Sequence, residues 1–398
     1  MVSLEFKRVL YMSEHPPSDA GGAPLIVHKL LRNYDMQRLE VLCDARQHGI
    51  ARSSRQSLLP CRHVVIRNAE GRTELRPRRV FNRLGDMANV LRVGPIVRAG
   101  ERIVSRRNVE IVFTVPWRCE FALAAYRLSQ DTGLPLYVFE TDDWEAMNPH
   151  SGAGSLVRRH HGDLLRHARR LWLISPAMVE SYRDRFGVEG SFLHHYVDTE
   201  VYARAARRRE RLSDSGTLRI VYTGAINSMF FDTMRRVCAL INRGIETDGR
   251  RVVLDIYSGG CPHEFLGDHV HYRGFVPSDE IPEILAGADV TLIALTFSAD
   301  PSVVDLVRTS IYTKTIDYLA AGRPVLIVAP PYAAEVDYFR DVATIVDTPE
   351  PDRITEAIAR LARDDRATED RRRRGLEFVR AHHSLATQAS GFLRHFQS

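Results

Sequence analysis

Short apolar runs alternate with helix-patterned segments along nearly the whole chain, and the series starts twice. KRVLYMS (7–13), RLEVLCD (38–44), HVVIRN (63–68), VEIVFTV (109–115), LPLYVFETDDW (134–144, a strand with its following loop) and RLWLIS (170–175) read as strands. Between them lie helical patterns: one opening at Pro24, one over 78–107 broken at Gly94–Pro95, WRCEFALAAYRLSQD, a segment around 155–169, and PAMVESYRDRFG. Strands that are apolar throughout and separated by helices predict a parallel sheet covered on both faces. YARAARRRERLSDSGT (202–217) has no apolar periodicity and turns from Arg-rich to Ser/Gly-rich, which marks a boundary. The series then restarts with LRIVYTG (218–224) and continues through RVVLDIYSGG, HVHYRGF, DVTLIAL (289–295) and RPVLIVAP (323–330). The expected organisation is a doubly wound α/β domain over 1–203, a linker over 204–216 and a second such domain over 217–398, its last helix packing back toward the first domain.

At 398 residues the chain suits two domains of about 200 residues each. Its 44% hydrophobic and 26% charged residues exclude wholesale disorder. No apolar run reaches the ~18 residues of a membrane span. MVSLEFKRVLYMSE lacks the charged lead and long apolar core of a signal peptide, so the expected location is the cytoplasm. Five scattered cysteines without a C-x-x-C pair form neither a disulfide framework nor a zinc ribbon. The formal charge of +5 divides into +10 over 1–212 and −5 over 213–398. Arginine dominates the bases, so Lys7, Lys29 and Lys314 stand out as the three lysines.

The most specific stretch is TKTIDYLAAGRPVL (313–326). Thr313 can cap a helix that carries Lys314 in its first turn and Asp317 three residues on, on the same face. Gly322 ends that helix and Pro324 opens the next strand. A cation beside the free N–H groups of a helix start suits a diphosphate, and a carboxylate one turn on suits sugar hydroxyls. The bland reading is a capped helix with a surface Lys–Asp pair. Gly21–Gly22, after the first strand and before a helix, lets backbone N–H groups approach a phosphate or simply makes a flexible turn. Gly152-Ala153-Gly154-Ser155 reads as a loop. Neither glycine pair is a dinucleotide fingerprint or a P-loop.

These residues resemble the family 4, GT-B-fold glycosyltransferases, whose signature is approximately P-x-K-x-x-E-Y-x-A-A-G-x-P-V. The chain has Lys314, Tyr318, Ala320, Ala321, Gly322, Pro324 and Val325, with Asp317 for the Glu. YTGAINSMFFD resembles the family's first strand and glycine turn at Gly224, with Asp232 beyond it. DIYSGG, HYRGFVPSDEIPEILAGADVTLIAL, the Gly21–Gly22 loop, FETDDW, LISPAM and HHYVDTEVY follow the family in order, so the resemblance spans nearly the whole chain. It implies two Rossmann-like domains facing across a cleft and a retaining transfer of sugar from a nucleoside-diphosphate donor to a hydroxyl acceptor. Lys314 and Asp317 are then the catalytic candidates; Gly21, Gly22, Gly224, Arg308, Thr313, Lys314 and Asp317 the donor-binding ones. Three departures stand out. The position eight before Asp317 is Thr309 where many members have a carboxylate, AINSMFFDTM lacks the usual Arg and Lys, and Pro116-Trp117-Arg118 replaces a histidine. Arg308 can supply a missing cation or be a solvated loop arginine.

Asp142 and Asp143 end a strand, and adjacent side chains on an extended segment point oppositely, so at most one enters a site. The pairs His160–His161, His194–His195 and His382–His383 do not read as a metal site, because sequence neighbours rarely ligate one ion and no third ligand is suitably spaced. No metal and no separate cofactor is expected. The apolar positions Val80, Phe81, Leu84, Met87, Leu91, Ile96, Val97, Ile103 and Val104, interspersed with arginines, either pack on the sheet or form a basic amphipathic surface that docks on anionic lipid at the inner face of a membrane. Residues 52–107 carry 14 arginines against four acids but no aromatic interleaving, which disfavours nucleic acid. The leading function is therefore a metal-independent glycosyltransferase of cell-surface polysaccharide or glycolipid synthesis, taking a nucleotide-sugar donor and a glycan or lipid-linked acceptor. The rivals are a sugar-nucleotide epimerase on the same fold and a non-catalytic GT-B subunit of a transferase complex.

Overall fold

The computed structural model describes residues 5–19, 21–54, 56–67, 79–117, 119–147, 152–209, 216–363 and 365–397; within these, the side chains of 79–91, 152–156, 209 and 387 are not described. The chain divides into two compact units, Met1–His194 with Ala389–Ser398, and His195–Gln388.

The first unit carries strands β1 (Val9–Met12), β2 (Leu39–Asp44), β3 (Arg62–Ile66), β4 (Ile111–Thr114), β5 (Leu136–Glu140), β6 (Arg170–Leu173) and β7 (Ser191–Phe192). Its helices are α1 (Gly22–Leu31), α2 (Ala45–Ser53), α3 (Arg79–Arg107), α4 (Cys119–Thr132), α5 (Trp144–Met147), α6 (Gly152–His167) and α7 (Pro176–Phe186). The strands form one parallel sheet in the order β3-β2-β1-β4-β5-β6-β7. β1, β2, β4 and β5 are buried at every position, as continuous apolar runs require when helices cover both faces. Phe392 and Phe396 join this unit's core, where they pack against Trp172 and Phe113.

The second unit carries β8 (Thr217–Thr223), β9 (Glu246–Thr247), β10 (Arg250–Tyr257), β11 (Val270–Gly274), β12 (Val290–Ala294), β13 (Val325–Val328) and β14 (Thr344–Val346). Its helices begin with α8 (Thr199–Arg209), α9 (Phe231–Ile241), α10 (Ile281–Ala286), α11 (Pro301–Thr309) and α12 (Thr313–Ala320). They continue with α13 (Ala334–Phe339), α14 (Pro351–Ala362), α15 (Arg366–His382) and α16 (Leu385–Arg394), the last crossing the division at Gln388. The sheet order is β11-β10-β8-β12-β13-β14, parallel, with short β9 antiparallel on β10.

Three local expectations change, and one pair of alternatives is narrowed. Residues 204–209, read as linker, continue helix α8, which packs on α10 and α12 through buried Tyr202 and Ala205. Helix α3 runs through Pro95 without a break. It is held there by packing on α4, with Ile96 and Val97 buried and Gly100 so close that a Cβ would stand 2.6 Å from Leu128. Gly152–Ser155, read as a loop, is the first turn of α6. Finally, Ile96, Val97 and Ile103 are buried in the unit, so these apolar positions of α3 are not a lipid-facing surface. Val80 to Leu91 of the same stripe lie outside the described side chains. Among the described residues no helix is long and apolar enough to cross a membrane.

Candidate functional site

In a doubly wound sheet, ligands gather at the C-terminal strand ends where the strand order reverses. In the second unit that point is the end of β8, between β10 and β12. There the chain turns at Gly224, whose φ of 117° favours glycine and whose N–H is held by the Tyr257 carbonyl at 2.8 Å. Lys314, in the first turn of α12, reaches the same place. A Cβ on Gly224 would stand 3.1 Å from Lys314 Cε. The lysine Nζ donates to Tyr222 Oη at 3.1 Å and lies 3.6 Å from the centre of the Phe230 ring and 4.9 Å from that of Tyr222. Gly224 and Lys314, far apart in sequence, thus share one site.

The lysine is half-buried in an aromatic cage. Burial pushes its pKa down to about 7, partly offset by the carboxylate of Glu335. Glu335, at the start of α13, is fully buried. Its Oε2 accepts from the Tyr312 N–H at 2.9 Å and its Oε1 from the Thr315 hydroxyl. Burial raises its own pKa to about 7, against the lowering effects of those two donors and of Lys314. Glu335 therefore satisfies the start of α12. Thr313, expected to cap this helix, is its first helical residue; Tyr312 occupies the cap position and its side chain makes no capping bond. The cap comes from a helix twenty residues downstream, which no local pattern reveals.

Asp317 shares the helix with Lys314 but turns toward α8. Its Oδ1 accepts from Tyr202 Oη at 2.6 Å and lies 3.2 Å from His195 Nε2. The adjoining Tyr318 hydroxyl accepts from the Thr223 N–H at 2.9 Å, which fastens α12 to the end of β8. Gly322 ends α12 with φ 65°. Arg308 is an exposed helical residue in the last turn of α11, stacked over Tyr332 at 5.7 Å, and not a loop residue. Thr309 is buried and donates back to the Asp305 carbonyl at 2.8 Å.

In the first unit the strand order reverses between β1 and β4. The Gly21–Gly22 loop stands there, with φ of 58° and 66°, at the start of α1. The two glycines line a pocket of about 270 Å³ with His15, Ser18, Gln47 and Trp117. A Cβ at either would meet nothing within 4 Å, so backbone conformation rather than space requires glycine. Trp117, which stands near the family's histidine position, packs edge-on against His15 at 5.1 Å; Arg118 lies outside the described residues. Asp143 is structural: it is buried, caps α5 through the Ala146 N–H at 3.0 Å and pairs with Arg185. Asp142 is half-buried. His161 is buried against Glu140 at 2.9 Å and Glu145 at 3.4 Å, and despite burial these carboxylates raise its pKa to about 9.

Sequence reading missed Tyr222, Phe230 and Glu335. The only signal for the first two was the aromatic character of YTGAINSMFF around Gly224.

Solved structures place this architecture in a class. Sucrose-phosphate synthase from Thermosynechococcus elongatus superposes with a TM-score of 0.69 at 14% identity, covering 98% of this chain and 99% of that one. Anabaena HepE, in complex with UDP and glucose, gives 0.68 at 13%, covering 98% and 99%. The trehalose 6-phosphate synthase of Burkholderia multivorans gives 0.64 at 11%, covering 98% and 96%. The chain has the GT-B fold of these glycosyltransferases. In sequence, a family model described as glycosyl transferase-like matches residues 236–394, which include α12 and β13. No curated protein matches the chain.

Proposed function

We propose that the protein is a glycosyltransferase of the family 4 type, moving a sugar from a nucleoside-diphosphate donor to a hydroxyl of a glycan or lipid-linked acceptor with retention and without a metal. The carrying observation is the meeting of Lys314 with Gly224 at the strand-order reversal, next to the first turn of α12. The HepE complexes with UDP and UDP-glucose support a nucleotide-sugar donor. As the glycosidic bond breaks, negative charge collects on the departing diphosphate. A lysine in an aromatic cage, at the positive end of the α12 dipole, stabilises that charge where water screens it least. A diphosphate oxygen beside Nζ also restores the proton that burial discourages. Asp317, oriented by Tyr202 and His195, is assigned to the donor's ribose hydroxyls. The Gly21–Gly22 amides are the first unit's candidate phosphate contacts. The departing phosphate takes the acceptor's proton, so no side-chain nucleophile is assigned.

The test is UDP release from UDP-glucose and a thermal-shift panel of nucleoside diphosphates. Lys314→Ala should lower turnover by at least about 100-fold, the scale of losing one preorganised charge stabiliser, while the protein stays folded. Wild-type turnover in that variant would refute the assignment. Nucleotide binding without turnover by the pure wild-type protein would favour a non-catalytic subunit.

A further inference from the structure

The second unit has a concavity away from the Gly224–Lys314 site. It is a pocket of about 420 Å³ at the other end of the same sheet. Its wall includes Thr217 at the start of β8, Asp289 just before β12 and Arg323 just before β13. Gly224 follows the far end of β8, so the two places are about 20 Å apart at ~3.3 Å per strand residue. The pocket volume falls within the range of small-molecule sites. Its lining includes several small residues, among them Ala320–Gly322 at the end of α12, which leaves room for a ring-sized ligand.

Five arginines line this pocket, against one acid. Asp289 is already engaged, its carboxylate accepting the Arg219 N–H at 2.8 Å. Three of the arginines also have protein partners: Arg219 pairs with buried Asp255, Arg372 bonds Glu369, and Arg323 donates to the Ala286 carbonyl at 2.7 Å. Arg207 on α8 and Arg380 on α15 pair with no carboxylate among the described residues, and both are exposed at the rim. Guanidinium groups at the rim of a concave, partly apolar space can match the oxygens of a phosphate bidentately. A flat basic patch would suit a polyanion or a membrane; a pocket selects something that enters it.

We propose that this pocket is a second ligand site, taking a soluble phosphate monoester of sugar-phosphate size between Arg207 and Arg380. It is separate from the donor site and does not depend on the reading of that site. The test is calorimetric titration of the full chain with inorganic phosphate and with glucose 6-phosphate. Wild-type protein should bind the sugar phosphate saturably. Arg207→Ala/Arg380→Ala, which removes only exposed side chains, should weaken it at least about tenfold. Lys314→Ala should leave it unchanged. Absence of saturable binding, equal binding in the double variant, or loss in Lys314→Ala alone would each overturn the proposal. So would co-sedimentation with phosphatidylglycerol vesicles by a protein that ignores both free probes.

Discussion

At the residue scale, Lys314 is a cation whose charge depends on what it meets. With its pKa brought down to about 7 by burial, the free lysine is largely neutral above that pH. A diphosphate binds the charged form, so binding above pH 7 must take up a proton. Affinity for UDP should therefore fall as pH rises from 7 to 9, approaching tenfold per unit. Calorimetry in two buffers of different ionisation heat should show uptake of about one proton at pH 8. Lys314→Arg should bind without that slope. A flat pH profile in the wild type would mean that Lys314 is charged throughout or does not touch the phosphate. Lys314, Gly224 and Gly322 were legible in the sequence because each has a local signature: a rare lysine in a helix-start pattern, a glycine ending a strand, a glycine ending a helix. Tyr222, Phe230 and Glu335 were not, because their roles arise only when separate elements fold together.

At the element scale, α12 is anchored from outside itself. Glu335 takes the Tyr312 N–H and the Thr315 hydroxyl. Glu335→Ala removes the acceptor of the buried Thr315 hydroxyl and one acceptor of the half-buried Tyr312 N–H, and should cost about 1–3 kcal/mol, read by urea unfolding. Glu335→Gln can accept from Tyr312 and donate to Thr315, so it should cost much less. The carboxyl's raised pKa, about 7, means the wild type loses stability from this group as pH rises from about 4.5 through 7. Glu335→Gln should lack that loss. A Glu335→Ala protein as stable as wild type would show that α12 needs no such anchor. The same scale explains the misread helices. Pro95 and Gly94 signal a break, yet α3 continues because its contact with α4 outweighs one missing backbone bond. Residues 204–209 look polar because α8 buries alanine and a single tyrosine rather than large aliphatic side chains.

For the whole molecule, two α/β units were legible because apolar strands and helical segments alternate twice over. The place of the division was not. His195 and Tyr202 belong to the second unit through Asp317, a contact 115 residues away from Tyr202. The proposed chemistry carries one prediction at this scale. Turnover should survive exhaustive chelation, since the charge of the leaving diphosphate is assigned to Lys314 and the start of α12. A collapse that only magnesium or manganese restores would refute it.

The packing of Phe392 and Phe396 into the first unit also sets an order of events during synthesis. The first unit is translated almost entirely before the second, but its aromatic core stays incomplete until residue 396 has left the ribosome. At about 5–20 residues per second, the roughly 200 intervening residues impose a wait of about 10–40 s. During that interval Trp172 and Phe113 lack their partners. The nascent chain must shield that hydrophobic gap, with a chaperone or with itself, until residues 389–396 arrive.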